Sequence, residues 1–448
     1  MRFALPKGEV TLARRRRAIG FRRVLQVMAG VAVVTGTTFT VAPTTATAAS
    51  PADQGVTATT IRIGIPVIDF PALEAVGVKL NDGNFQDAYL ALTANMNAHG
   101  GVDGRKVIPY FALDNPAVAS SDASSCTELT EDDHVFIVML PVYPDCYLVT
   151  HDTPAIEGEF PDLVPASAAP DFSLTPPDSA YDPVQLAAFK TRGAFNGKKV
   201  GIYYAIGSDA AEAKAVQSDL KKLKVDVVAV AGVSVPPTDT LASDEATQSI
   251  ALRFKDAGVN EVIGVGGSGA VEWPRALKDT QSTYDPPWIA TNITALESNV
   301  AAANGGNSYF DNVLASTPVP SAYQEWKDPA MQKCAAIVRK AFPSDVIGQP
   351  ADPTSSQANG NSDNTTYAAV ESACQNLAIL AKIADQAGRN LTVASFTKAG
   401  YGLRKVTFPG SGGPVSFGTN QPYAIGKANA VVYDPRSGAL VPAPSVGP

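Results

Sequence analysis

Apolar and polar positions change period along this chain, and the changes mark its elements. Ile61, Ile63, Ile65 and Val67 alternate with Arg62, Gly64 and Pro66, a period of two that predicts a buried strand. Phe85, Ala88, Leu92 and Met96 then fall three and four apart, predicting a helix whose apolar stripe stops at Gly100-Gly101. Residues 107–113 return to a strand-like run. Strand, helix and strand in that order make a βαβ crossover, whose fixed hand implies a parallel sheet.

The same alternation continues. A short helix through Cys126 leads to strands over 135–140 and near 154–158. A second series runs strand 200–205, helix 210–223, strand 225–230, helix 246–257, strand 261–265, helix 270–280 and strand 287–291. From about Tyr309 the pattern is mainly helical, over 322–342 and 367–387, with a Gly/Asn/Ser-rich loop at 348–364 and a closing strand at 428–433. At 448 residues the chain exceeds the size at which a single core stops growing. The fold class read from this is α/β, with two doubly wound parallel-sheet lobes joined by a multi-crossing hinge.

Three consecutive stretches carry a resemblance: Gly55-Val-Thr-Ala-Thr-Thr-Ile-Arg-Ile-Gly64, then Asn95-Met-Asn-Ala-His-Gly-Gly-Val-Asp-Gly-Arg-Lys106, then Asp114 closing the next strand. They resemble the branched-chain amino-acid-binding type of ABC-transporter solute-binding proteins, the type I periplasmic binding proteins. The resemblance implies a hinged clamp, with residues 49–180 and 300–412 in the first lobe and 181–299 and 413–448 in the second. Crossings are expected near 172–181, 292–309 and 410–424. It implies no enzyme activity and no cofactor, a monomer, a small-molecule ligand such as an amino acid, and a membrane ABC permease as partner. A ligand-sensing clamp for a membrane receptor is the alternative, and a secreted hydrolase comes third.

In open α/β sheets ligands bind beyond the carboxyl ends of strands. Here those ends point to Asp69 and Phe70, Tyr147, Glu157 and Gly158, Ile206, Gly207 and Ser208, Gly267, and Asn292 as ligand-binding residues. In the resemblance, Tyr147 takes the place of a carboxylate-binding serine and Ile206 that of a tyrosine, while Glu157 and Gly158 lie near residues that contact the ligand's α-groups. Phe70, Tyr147 and Trp273 suit an aromatic or apolar ligand.

The ends of the chain and its charge narrow the setting. Arg14 to Arg17, Arg22 and Arg23 precede an apolar run over 24–41, and Ala46-Thr47-Ala48 offers small residues for cleavage, so residues 1–48 read as a secretory signal peptide. Their removal takes away eight basic side chains and one acidic one and moves the formal charge from -8 to about -15. Such a chain does not seek nucleic acid. No cysteine stands in the first 50 residues, so no lipid anchor is evident. The four cysteines, Cys126, Cys146, Cys334 and Cys374, allow three disulfide connectivities, and pairing of sequence neighbours is expected; none has zinc-site spacing.

Two motifs invite other chemistry. Gly264-Val-Gly-Gly-Ser-Gly269 follows a strand and opens a helix, as a dinucleotide fingerprint does, but Asp285 precedes the next strand where a ribose-binding acid would close it. A hydrolase built on Ser268 would need a histidine, and of His99, His134 and His151 only the last lies near a strand's carboxyl end. The export reading carries its own check: the secreted protein is expected to begin at Ala49 or within a few residues of it, and N-terminal sequencing that still finds Arg14 to Arg17 contradicts it.

Overall fold

The structure, a computed structural model, describes residues 54–75, 82–115, 118, 120–140, 152–157, 169–207, 209–234, 240–279, 281–303, 310–350, 366–419, 421–424, 427–436 and 438–444. The expected signal peptide and Tyr147, Gly158, Ser208 and Cys146 lie outside these.

The first sheet is built from β1 (Thr60–Ile68), β2 (Lys106–Asp114), β3 (Ile137–Leu140), β4 (Ala155–Glu157) and β5 (Asp171–Ser173), in the order β2-β1-β3-β4-β5. Every pairing in it is parallel. Ile61, Ile63 and Ile65 are fully buried, as their alternation predicts. The stripe of the Phe85–Ala98 helix buries Phe85, Ala88, Tyr89 and Leu92 against them.

The turn that returns the chain to β2 owes its shape to the Gly100–Lys106 motif. Gly101 has φ +70°, and a Cβ there would lie 1.9 Å from the Arg105 carbonyl oxygen, so no larger residue fits. Arg105 is buried. Its guanidinium donates to Thr57 O (3.1 Å), to Asp103 Oδ2 (3.0 Å) and to Arg389 O (2.5 Å), tying the segment before β1 and a late turn to this one.

The second sheet comprises β6 (Lys199–Ala205), β7 (Asp226–Val233), β8 (Glu261–Gly264), β9 (Trp288–Ala290) and β10 (Val313–Thr317). A small hairpin, β11 (Val406–Thr407) and β12 (Pro414–Val415), follows before β13 (Asn429–Asp434) and β14 (Ala439–Pro442) complete the second sheet. Its order is β14-β13-β10-β9-β8-β6-β7, parallel from β7 to β10 and antiparallel beyond.

Several elements depart from the sequence reading. The Asp178–Thr191 helix stands where a crossing alone was expected, because the Pro176-Pro177 pair and the internal Pro183 mask its period. The Ile293–Ala303 helix and β10 occupy 293–317, so the chain stays with the second sheet past the expected boundary at 300, with Phe310, Val313 and Ala315 in that sheet's core. Conversely Phe417 and Ala424 pack in the core of the first sheet, not the second. The expected single helix over 322–342 is two, Ala322–Glu325 and Pro329–Ala341. The second begins afresh with Asp328 accepting from Ala330 N and Pro329 in the first turn.

The chain therefore passes between the sheets at 174–177, at 318–321 and after Ala424, and the described ends of these passages run together. Ser173 N donates to Pro422 O and Ala424 N to Ser173 O, both at 3.0 Å, so the third crossing leaves from beside β5. Asn429 Nδ2 donates to Thr317 O at 3.2 Å, joining the second crossing to the third. Below them Phe172 packs among Phe396, Tyr401 and Phe417 at centroid distances of 5.8, 5.6 and 5.5 Å.

Cys334, on the Pro329–Ala341 helix, is bonded to Cys374, on the Ala368–Ala387 helix, as the sequence pairing expects. Cys126 is also disulfide-bonded, and its expected partner Cys146 lies outside the described residues. The Cys334–Cys374 bond spans 40 residues of sequence, and closing a loop of that length constrains the unfolded chain by about 4 kcal/mol. Replacing both cysteines by alanine is expected to lower the unfolding free energy by about that amount in a urea titration; an unchanged midpoint contradicts it.

Candidate functional site

In the second sheet the carboxyl ends of β6, β8 and β9 lie side by side, and four helices begin there: Asp178–Thr191, Ala210–Lys222, Gly266–Asp279 and Ile293–Ala303. Helix N-termini present unpaired N–H groups and positive potential, so polar and acidic side chains gather at this edge. Asn292 bridges two of the helices. Its Oδ1 accepts from Ala295 N at 2.7 Å and its Nδ2 donates to Asp178 Oδ2 at 2.5 Å. Thr291 Oγ1 donates to Glu212 Oε1 at 2.9 Å while accepting from Gly266 N at 2.9 Å. Gln185 Nε2 donates to Asp182 Oδ1 (2.8 Å) and to Thr291 O (2.9 Å), and its own Oε1 accepts from Ser316 (3.1 Å).

This network holds four carboxyl groups: Asp178, Asp182, Asp209 and Glu212. Asp182 and Asp209 are 1% and 7% exposed, whereas Asp178 and Glu212 are half-buried at the rim. Loss of water, then repulsion from Glu212 and Asp209, pushes Asp178 up to about 7 against the pull of its Asn292 bond. Burial and the Glu212 charge raise Asp182 well above the usual carboxylate range. Glu212 is also raised by burial, held back by Thr291 and the Gly266 amide. The two groups act on each other: Glu212 raises Asp182, and Asp182 holds Glu212 back. Among the described residues the charges acting on Asp178, Asp182 and Glu212 are all carboxylates.

The glycines of the fingerprint serve packing here. A Cβ on Gly269 would stand 2.2 Å from the Gly264 carbonyl carbon, so helix and strand touch backbone to backbone. Gly266, at φ +68°, lies directly under the Asp209 carboxylate, 2.6 Å from where its Cβ would be. A carboxylate over this turn occupies the space a pyrophosphate would need.

The residues expected from sequence divide. Asn292 belongs to the network. Ile206 is 55% exposed at the end of β6, with Gly207 beside it at φ +115°, and Gly267 lies in the first turn of the Gly266–Asp279 helix, so the three are brought to the same edge. In the first sheet Glu157 is buried at the end of β4. Asp69 caps the Phe70–Ala75 helix through Ala72 N at 3.0 Å, and Phe70 stacks on Phe85 with centroids 6.3 Å apart. Trp273 is no ligand-facing aromatic: it is fully buried against Tyr203 and Phe254. Sequence reasoning missed Asp178, Asp182 and Glu212. The signal was there in the spacing of Asp178 and Asp182, four apart at a helix start, once that helix is recognised.

A depression of about 600 Å³ lies elsewhere, along the Ser121–Thr127 helix and the π-helical turn Glu128–Asp132, lined by Ser120, Ser124, Glu128 and Asp133. No helix among the described residues is long and apolar enough to cross a membrane.

No family model matches the sequence, and no curated protein matches it. Solved structures do match. The ABC-transporter substrate-binding protein from Desulfitobacterium hafniense in complex with Leu aligns with a TM-score of 0.56 at 15% identity, over 86% of this chain and 99% of that one. A solute-binding protein of an ABC transporter from R. palustris, in complex with 4-hydroxybenzoate, gives 0.55 at 14% identity over 86% and 95%. The fatty acid ABC transporter substrate-binding protein from Thermomonospora curvata gives 0.54 at 16% identity over 87% and 92%. At these identities the likeness is one of fold: the chain has the two-sheet architecture of type I periplasmic binding proteins.

The proton balance of the acid network is open to measurement. Folded Asp178 and Asp182 keep protons at pH values where unfolded carboxyl groups, titrating near pH 4, have lost them. The folded state thus binds more protons, and stability falls as pH rises from about 4 through 7. Asp182→Asn keeps the Gln185 contact and removes the carboxyl group whose proton is retained on folding. It is expected to flatten the decline in Tm between pH 5.5 and 8 and to raise Tm at pH 8 by about 2–4 °C, on the order of 1 kcal/mol for a chain of this size. A variant with the wild-type slope contradicts the assignment.

Proposed function

We propose that this protein is a secreted, non-enzymatic solute-binding protein that closes two lobes on a small organic molecule and delivers it to an ABC permease. The observation that carries this reading is the architecture. One parallel and one mixed sheet are linked by three short passages, at 174–177, at 318–321 and after Ala424, whose flanking residues are hydrogen-bonded to one another. Bodies joined in this way rotate with few contacts to break outside the joint. The lobes are then 54–173 with 322–424, and 178–317 with 427–444. Fold likeness over 86% of the chain to substrate-binding proteins of ABC transporters supports the same role. The basic, apolar and small-residue sequence of residues 1–48 supports export.

The solute is met by Asp69, Phe70, Tyr147, Glu157 and Gly158 from the first lobe and by Ile206, Gly207, Ser208, Gly267 and Asn292 from the second. Neighbours of this fold hold leucine or 4-hydroxybenzoate, and a third is named for fatty acids, so the fold by itself does not select a ligand class.

A broad small-molecule library screened by thermal shift against the mature protein tests the reading. At 100 times its dissociation constant a ligand adds about 2.7 kcal/mol of stability, and the same ligand should shrink the radius of gyration in solution scattering. A library that yields no shift, or a hit that is chemically turned over, contradicts it.

A further inference from the structure

We infer that the acidic cluster at the carboxyl ends of β6, β8 and β9, formed by Asp178, Asp182, Asp209 and Glu212, receives an organic cation, the protonated amine or guanidinium end of the solute. This inference rests on the solute-binding reading and names the class of solute.

A helix N-terminus is the competing account, and it covers two of the four acids, Asp178 and Glu212, each in the first turn of its helix. Both accept a side-chain bond, Asp178 from Asn292 and Glu212 from Thr291. Asp209 stands at an N-cap position, yet its side chain accepts no bond from the Ala210–Lys222 helix. It is 93% buried, and its Oδ2 has no hydrogen-bond partner at all. Its carboxylate stands over Gly266, whose amide donates to Thr291 Oγ1, the partner of Glu212, so this bare carboxylate lies against the cluster. Asp182 lies in the second turn of its helix, past the reach of capping, and is 99% buried.

Protein folds rarely leave a buried carboxylate oxygen without a donor, because the desolvation is not repaid. Among the described residues no base supplies one: Arg275 is engaged by Asp244 at 3.0 Å, and Glu272, on which the Arg275 and Asp209 charges both act, adds a further negative charge. Nor does the grouping suit a metal, since no three acid, His or Cys side chains among the described residues are placed to hold one. A wider, multi-donor cation matches the spread of acceptors. Asp178 and Glu212 at the half-buried rim offer the way in, and Asp209 and Asp182 lie beneath. Protons held by Asp178 and by the Asp182–Glu212 pair would leave as the cation enters, so binding and proton release go together.

Matched pairs differing only in charge test this: agmatine against N-carbamoylputrescine, L-arginine against L-citrulline, and benzylamine against benzyl alcohol, each titrated calorimetrically into the mature protein. At least one cation is expected to bind ten or more times tighter than its neutral partner. Its affinity should rise from pH 6 to 8, and buffers of different ionisation enthalpy should report protons released. Asp209→Asn should weaken that cation by about thirtyfold or more, as truncation of a buried charge partner does. Asp178→Asn at the rim serves as a second variant, and circular dichroism with the ligand-free Tm confirms folding of both. Neutral or anionic library members that bind when none of the cations does would overturn the cation pocket while leaving the solute-binding reading intact. So would a cation whose affinity ignores both substitutions. A library in which nothing binds removes both readings.

Discussion

Phe172 is the point through which the two lobes are organised. It sits on β5, the last strand of the first sheet, immediately before the chain leaves for the second. A chain that builds one sheet, departs for another and returns must bury its returning segments against the first sheet, or the first lobe lacks half its core. Phe172 supplies the surface for that return: Phe396, Tyr401 and Phe417 all close on its ring. Gly400 lies so near that a Cβ would come within 2.2 Å of the ring. The aromatic pairs add to the area buried, and they fix the late helix and loop to the strand end from which the first crossing starts.

The legible part of this architecture was the part built on clean periods. β1, the Phe85–Ala98 helix and β2 stand where alternation and the three-four stripe put them, within a residue or two. The turn motif before β2 was also legible, and its reason is now physical: a left-handed Gly101 pressed on the Arg105 carbonyl and a buried guanidinium with backbone acceptors. What could not be read were elements whose local signal conflicts with their context. The Asp178–Thr191 helix follows a proline pair, contains Pro183, and buries Asp182 and Gln185 beside Tyr181, Leu186 and Phe189, so its apolar stripe is interrupted. β10 is five residues, Val313–Thr317, and two of them are polar. Its membership of the second sheet is decided by pairing with β9 and β13, which no short pattern announces.

The same conflict explains why the acidic network was not legible. Positions after strand ends follow from the general geometry of open sheets, and Ile206, Gly207, Gly267 and Asn292 stand at that edge. Asp178, Asp182 and Glu212 lie inside helices, where acids ordinarily read as a solvated face. Their burial is a tertiary fact, made by the convergence of three elements on Thr291 and Gln185. The Gly264–Gly269 fingerprint errs in the opposite direction, offering a strong local pattern whose glycines are spent on strand-to-helix contact.

Burying acids at a helix-rich edge is a compromise between two fields. Four N-termini favour negative charge there, which lets carboxylates be placed at all. Yet the groups repel one another and lose water, so the edge cannot carry its full charge, and Asp178 and Asp182 retain protons in consequence. The arrangement is thus unstable toward any change that brings a counter-charge, and its location determines what such a change would move. Asp178 is the fifth residue after β5, at the first helix beyond the first crossing, and Asn292 links it to the start of the Ile293–Ala303 helix that leads into β10 and the second crossing. A charge entering here acts on the two helices next to the hinge. In a two-lobed binding protein that is where occupancy of a site is most directly converted into the angle between lobes.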